Sequence, residues 1–199
     1  MTGSGARSNR PNSRSSSVPS VTPPPYGDPV TVQIRPWSEH DLPVLERSNE
    51  PGMMNYLGGP ETPEKLVVRH ERYLNGWRTG TGSMFTTWTD DVAEPVGSIG
   101  YWQTDYDGSP ELETGWSIHL PHQGHGYASA ALALILEHAA QHSDRPVIRA
   151  FPSVANAASN AVCRRAGFTL VREFDGEYPP GNPVRTNEWV FDLDTLRAE

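Results

Sequence analysis

The run 111-ELETGWSIHLPHQGHGYASAALALILEHAAQHS-143 decides how this chain is read. Its first ten residues alternate. Leu112, Thr114, Trp116, Ile118 and Leu120 fall on one side, and Glu113, Gly115, Ser117 and His119 on the other. That two-residue period is the pattern of a strand with one apolar and one polar face. Pro121 breaks it, and Gln123 to Ala128 follows as a short loop bearing Gly124 and Gly126. From Ala128 the run ASAALALILEHAAQ is rich in strong helix formers and holds no Gly or Pro. A strand, a glycine loop and a helix in succession leave unpaired backbone N–H groups at a helix start beside a strand end. Such a start suits an anion, most often a phosphate.

Working outward toward the N-terminus, Val30 to Trp37 reads as a first strand with Val30, Val32 and Ile34 on one face. Ser38 offers an N-cap for a short helix, EHDLPVLERSN, with Leu42, Val44 and Leu45 inward. Thr62 and Pro63 open a second helix that buries Leu66, Val67, Tyr73 and Leu74. Ser83–Thr89 and Pro95–Thr104 are strands around the turn DDVAE, and Asp105 to Pro110 turns back into the Glu111 strand. Toward the C-terminus, Pro146 to Val154 is a strand interrupted by Pro152. Ala155 to Ala166 is a helix closed by Gly167, and TLVREFDGEY and TNEWVFDL form a final hairpin. The order is β-α-α-β-β-β-α-β-α-β-β, an α+β chain in which short connections make an antiparallel meander.

The chain has 199 residues, enough for one domain with a sizeable core. Residues 1–28 are rich in Ser, Pro and Gly and cannot bury enough surface to offset their ordering entropy. They are expected to be a disordered tail ahead of a domain at 29–199. Arg7, Arg10, Arg14 and Asp28 give that tail a charge of +2, so the total of −8 leaves −10 on the rest. An acidic body argues against nonspecific nucleic-acid binding and favours a cationic partner such as an amine. Cys163 is the single cysteine, which excludes an intrachain disulfide and suits a reducing cytoplasm. No apolar run approaches the ~20 residues that cross a bilayer.

Two motifs carry a family resemblance. Gln123-x-x-Gly126-x-Ala128 resembles the Arg/Gln-x-x-Gly-x-Gly/Ala signature with which GNAT-superfamily N-acetyltransferases bind the pyrophosphate of acetyl-coenzyme A. Downstream, Asn156-x-x-Ser159-x-x-Val162, ending in Arg165-Ala166-Gly167-Phe168, resembles the corresponding helix of the RimJ/RimL-like branch, which acetylates N-terminal amines of ribosomal proteins. The resemblance spans roughly Val30 to Leu193, with motifs from Glu111 to Phe168. It implies the GNAT fold: a mixed, mostly antiparallel central sheet flanked by about four helices. It also implies acetyl-CoA as cosubstrate and an amine acceptor. A homodimer is compatible with it.

The resemblance assigns cofactor contacts to Ser117, Ile118 and His119 on the strand, where a backbone N–H polarises the acetyl carbonyl. It assigns others to Gln123, Gly124, His125, Gly126, Tyr127, Ala128 and Ser129 in the loop, and to Asn156. In the family the first two helices and their loop wall the acceptor pocket, which makes Tyr56 a candidate acceptor contact. Glu113, on the polar strand face, is the first candidate for the base that deprotonates the amine, with His119 second. Many family members place a tyrosine seven residues after the asparagine as the acid; here that position is Cys163. Ser159, Cys163 and water stay open for protonating the departing thiolate.

Other readings of the same residues exist. Gly124-x-Gly126-x-x-Ser129 approaches a dinucleotide fingerprint, but its third glycine is a serine and it follows an antiparallel meander. His119, His122 and His125 recur every three residues, yet one is on a strand and two are in a tight loop, which disfavours a shared metal. Asn156 is also a plain helix cap. A coenzyme A-binding module without transferase activity, and a structural or interaction protein, are the alternatives to an acetyltransferase.

Overall fold

The computed structural model describes residues 31–198; the tail at 1–28, and Val30 of the first strand, lie outside the described residues. The elements are β1 (Val32–Pro36), α1 (Leu42–Ser48), α2 (Pro63–Thr79), β2 (Gly82–Thr89), β3 (Gly97–Tyr106), β4 (Ser109–Ile118), α3 (Tyr127–His142), β5 (Val147–Ala150), α4 (Ala157–Arg165), β6 (Thr169–Glu177), β7 (Pro183–Asp192) and α5 (Asp194–Arg197). This is the expected order with a short helix added at the end. Seven strands form one sheet in the order β1-β2-β3-β4-β5-β7-β6. Every pairing is antiparallel except that of β4 with β5. A parallel pair needs a crossover, and α3 supplies it.

The two faces of the sheet are covered by different helices. On one, α3 buries Ala131, Leu132, Ile135, Leu136 and Ala139, one helical stripe, against Ile99, Leu112 and Ile148. Each fully buried Leu or Ile there contributes about 1.5–3 kcal/mol. Val162 and Cys163 of α4 extend the same core. On the other face, Val44 and Leu45 of α1 join Trp37 and Met84, with Tyr73, Leu74 and Trp77 of α2 at the margin. The polar side of β4 is therefore roofed by α1: Ser117 Oγ donates to Ser48 Oγ at 3.1 Å.

Several boundaries move for identifiable reasons. Helix α1 begins at Leu42, three residues later than expected, because Pro43 fits only in a first helical turn. Ser38 does not cap it; the Ser38 N–H and Oγ both donate to the Asp41 carboxylate at 2.7 Å. Val67 is exposed, since α2 turns only one narrow stripe inward. Leu120 is exposed too: β4 ends at Ile118, and Leu120–His122 form a single 3-10 turn instead of prolonging the alternation. Strand β5 stops at Ala150, before Pro152. Gly167, at φ 86°, follows α4 where a left-handed residue was expected.

Asn160 fastens α4 to the sheet. Its amide donates to the Ser153 and Asn156 carbonyls at 2.9 and 2.8 Å. Its carbonyl accepts from Asn187 at 2.7 Å and from the Trp189 indole at 2.8 Å. The side chain is buried and fully bonded, which fixes the start of α4 relative to β7.

Candidate active site

Strands β4 and β5 part company almost as soon as they meet. They pair only at Leu112 with Ile148 and Glu113 with Arg149, whereas β3 accompanies β4 as far as Ile118. The last five residues of β4 therefore border a gap on the β5 side. His119 N–H donates to Val96 C=O at 2.9 Å, so the ladder alternation turns the main-chain groups of Ser117 and His119 toward β3. Those of Trp116 and Ile118 face the gap. Ile118 C=O accepts from Gln123 Nε2 at 2.8 Å, so at Ile118 only the N–H is left facing the gap, beside the main-chain groups of Trp116. Of the three strand residues expected to contact the cofactor through their main chain, only Ile118 is so oriented.

The glycine loop lies next to this gap. Gly124 and Gly126 have φ of 83° and 84°, values open to glycine and strained for other residues. Gly126 caps α3, and the first bond of the helix runs from Ala130 N–H to Gly126 C=O. The six preceding amides, Gly124 to Ser129, donate to no group among the described residues. The Ser129 hydroxyl is buried there and bonds to nothing. Six successive free N–H groups and an unsatisfied hydroxyl at the start of a 16-residue helix fit a pyrophosphate. His125 is exposed and stacks on Tyr127 at 5.4 Å, and the Tyr127 hydroxyl donates to Asp91 at 3.3 Å. Ala128 is half-buried behind the loop. Gln123 departs from expectation: its N–H goes to Leu120 C=O at 3.3 Å and its side-chain amide to Ile118 C=O. It braces the loop from behind.

Glu113 is half-buried on the α1 side, at the last β4–β5 rung. Burial raises its carboxyl above the ordinary value, opposed in part by a hydrogen bond from Trp102. His119 sits on the same face, 5% exposed, with Nε2 3.2 Å from Val44 C=O. Burial lowers its imidazole, which keeps it neutral and makes Nε2–H the donor to that carbonyl. His119 thus ties α1 to β4, a bracing role that the sequence did not signal.

Asn156 caps α4, its Oδ1 accepting from Ser159 N–H at 3.0 Å, and half-buried Ser159 lies in the first turn. The position of Cys163 disfavours it as the acid. It is fully buried in the main core, and burial pushes its thiol up to about 12. At 0% exposure the thiol is enclosed by the core, with no open path to a departing thiolate. Ser159 and water are left for the role. We expect Cys163 to react with a thiol reagent only on unfolding, and Cys163→Ala to cost about 1–2 kcal/mol of stability while leaving turnover intact. Thiol titration in native and denaturing buffer, beside turnover of the variant, checks this.

The sequence reading missed a charged cluster on the α1-side face. Arg149 donates to both Glu111 oxygens and to Glu188, and Arg172 Nε donates to Glu188 at 2.7 Å. Glu188 is 1% exposed. The Glu188–Val190 alternation in TNEWVFDL could have signalled a glutamate on an inward face, but only the register reveals its partners. Above this face, the β6–β7 hairpin tip meets the α1–α2 linker: a Cβ on Gly58 would lie 2.4 Å from Pro179. Tyr56, on the same linker, is 43% exposed.

The acetyltransferase (GNAT) domain family matches residues 31–169. No curated protein sequence matches the chain. Among solved structures, the Salmonella typhimurium acetyltransferase that modifies the N-terminal serine of ribosomal protein L7/L12 is similar, with a TM-score of 0.69 at 22% identity over 81% of this chain and 95% of that one. RimL, the ribosomal L7/L12 alpha-N-protein acetyltransferase, in complex with coenzyme A, gives a TM-score of 0.69 at 21% identity over 82% of this chain and 95% of that one. Spermidine N-acetyltransferase from Vibrio cholerae, with coenzyme A and spermine, gives 0.68 at 15% identity over 82% and 96%. At these identities the likeness is one of fold. Among the described residues, no helix is long and apolar enough to cross a membrane.

Proposed function

The chain belongs to the GNAT acetyltransferase family, and from that premise we propose that it moves the acetyl group of acetyl-CoA to a primary amine by direct attack in a ternary complex. The amine is a protein N-terminus or a small molecule, and residues 29–199 form the catalytic domain. The observation that carries this reading is the gap beside β4 adjoining six free amides at the start of α3. Acetyl-CoA, when bound, supplies an activated acetyl thioester. The amides from Gly124 to Ser129, with the Ser129 hydroxyl, would hold its pyrophosphate, and Ile118 N–H would face its acyl arm.

Alignment of the reactants accounts for much of the rate. Glu113 takes the proton of the attacking ammonium directly or through water, its raised pKa bringing it closer to the operating pH. Ser159, or a water beside it, returns a proton to the leaving thiolate. Tyr56 and the linker that carries it wall the acceptor side.

The test is thiol release from acetyl-CoA across a panel of amines and N-terminal peptides, alongside calorimetric binding of coenzyme A. Binding with turnover on at least one amine is expected. Binding without turnover on any would instead identify a coenzyme A-binding module. Unchanged thermal stability at millimolar acetyl-CoA would remove the cofactor itself from the reading.

A further inference from the structure

Four charged side chains on the α1-side face of the sheet cancel one another. Glu111 and Glu188 supply two negative charges, and Arg149 and Arg172 supply two positive ones. Both oxygens of each carboxylate are engaged. Tyr106 completes the cluster: its ring lies 3.8 Å from the Arg149 guanidinium, and its hydroxyl accepts from Arg172 at 2.8 Å. The cluster spans β3, β4, β5, β7 and β6, and Arg149 occupies the rung opposite Glu113, at the vertex of the gap. Glu113, whose cross-strand neighbour on β3 is the uncharged Trp102, forms no ion pair among the described residues. The vertex therefore presents a neutral cluster and one uncompensated carboxylate.

Buried Glu188 is the hinge of this balance. At 1% exposure it bonds both guanidinium groups, and without its charge the cluster would carry a net +1 on the side from which the amine must approach. We infer that Glu188 is a specificity-determining counter-ion, which cancels the guanidinium charge beside the gap so that a cationic amine meets the field of Glu113 alone. This rests on the reading of the α1-side face as the acceptor side. It predicts selection by charge: acceptors are cationic, and an added ammonium on the acceptor is tolerated only while Glu188 is ionised. Arg172 is 56% exposed at its side chain and can be removed without leaving a buried charge unpaired, so it offers the opposite perturbation.

The experiment compares KM for n-butylamine with that for diaminobutane, and for Ser-Ala-Ala amide with that for Ser-Lys-Ala amide, at low and high salt. Glu188→Gln should raise KM about threefold for a single positive charge and about tenfold for two, with the difference shrinking at high salt. Arg172→Met should shift KM the other way. The double variant Glu188→Gln/Arg172→Met, neutral again, should return near the wild type, and it serves where the single glutamine variant folds poorly. Coenzyme A affinity should stay unchanged throughout. KM shifts that are equal for one and two charges, or of the same sign in Glu188→Gln and Arg172→Met, overturn the counter-ion assignment alone. A wild type that binds coenzyme A but acetylates none of the four amines overturns the transfer reading beneath it.

Discussion

Replacing Gly126 with leucine is expected to lower coenzyme A affinity about a hundredfold, a loss of about 2.7 kcal/mol, while the protein remains folded. Gly126 sits at φ 84°, and nothing lies within 4 Å of where its Cβ would be. The added side chain therefore meets no protein atom near its root. It fills the space in front of the free amides and strains the backbone that aims them. The strain alone costs about 1–2 kcal/mol, a melting-point loss of about 3–7 °C. Gly108 provides the control. It has φ 80° and equally open surroundings, but it lies in the β3–β4 turn, at the other end of β4. Gly108→Leu should lose comparable stability and no affinity. Calorimetric affinities and melting curves for both variants decide the matter, and equal coenzyme A affinity in the two would end the phosphate assignment.

How much of this was legible in the sequence depended on the range of the interactions involved. Local patterns sufficed for the β4–loop–α3 unit: alternation from Leu112 to Ile118, two glycines and an alanine-rich run are each read within a few residues. They also placed Asn156 at a helix start and Gly167 at its end. Local patterns failed where a neighbour in space decides. Glu113 and His119 share a face, but only the packing of α1 separates a half-buried carboxylate from an imidazole engaged by Val44 C=O. Gln123 matched the expected motif, yet its side chain turns back to Ile118 because the strand carbonyl there has lost its β5 partner. Cys163 held the position of a family acid, and only the core that encloses it around α4 argues against that role. The Glu111–Arg149–Glu188–Arg172 cluster joins four strands and leaves no short-range trace at all.

Glu113→Gln tests the base most directly, because it removes a charge and almost no volume. The kcat for amine acetylation should fall about a hundredfold to a thousandfold, the range for losing a positioned base, with coenzyme A affinity unchanged. The pH profile supplies the second readout. Glu113 is raised above its ordinary value, so the acid limb of kcat/KM should lie above the usual carboxylate range and should vanish in the variant. Stability should move in the opposite direction to activity. Below the ordinary carboxylate value both folded and unfolded states hold the proton, and Glu113 has no effect on folding. As pH rises through the raised folded value, the native state must ionise a buried group, so wild-type stability falls relative to the variant. The glutamine protein should therefore match the wild type in acid and equal or exceed it near neutrality. Activity lost together with stability at neutral pH would mark Glu113 as a structural residue. Full kcat with the acid limb in place would transfer the proton to another group, and water held at the β4–β5 vertex would then be the first to consider.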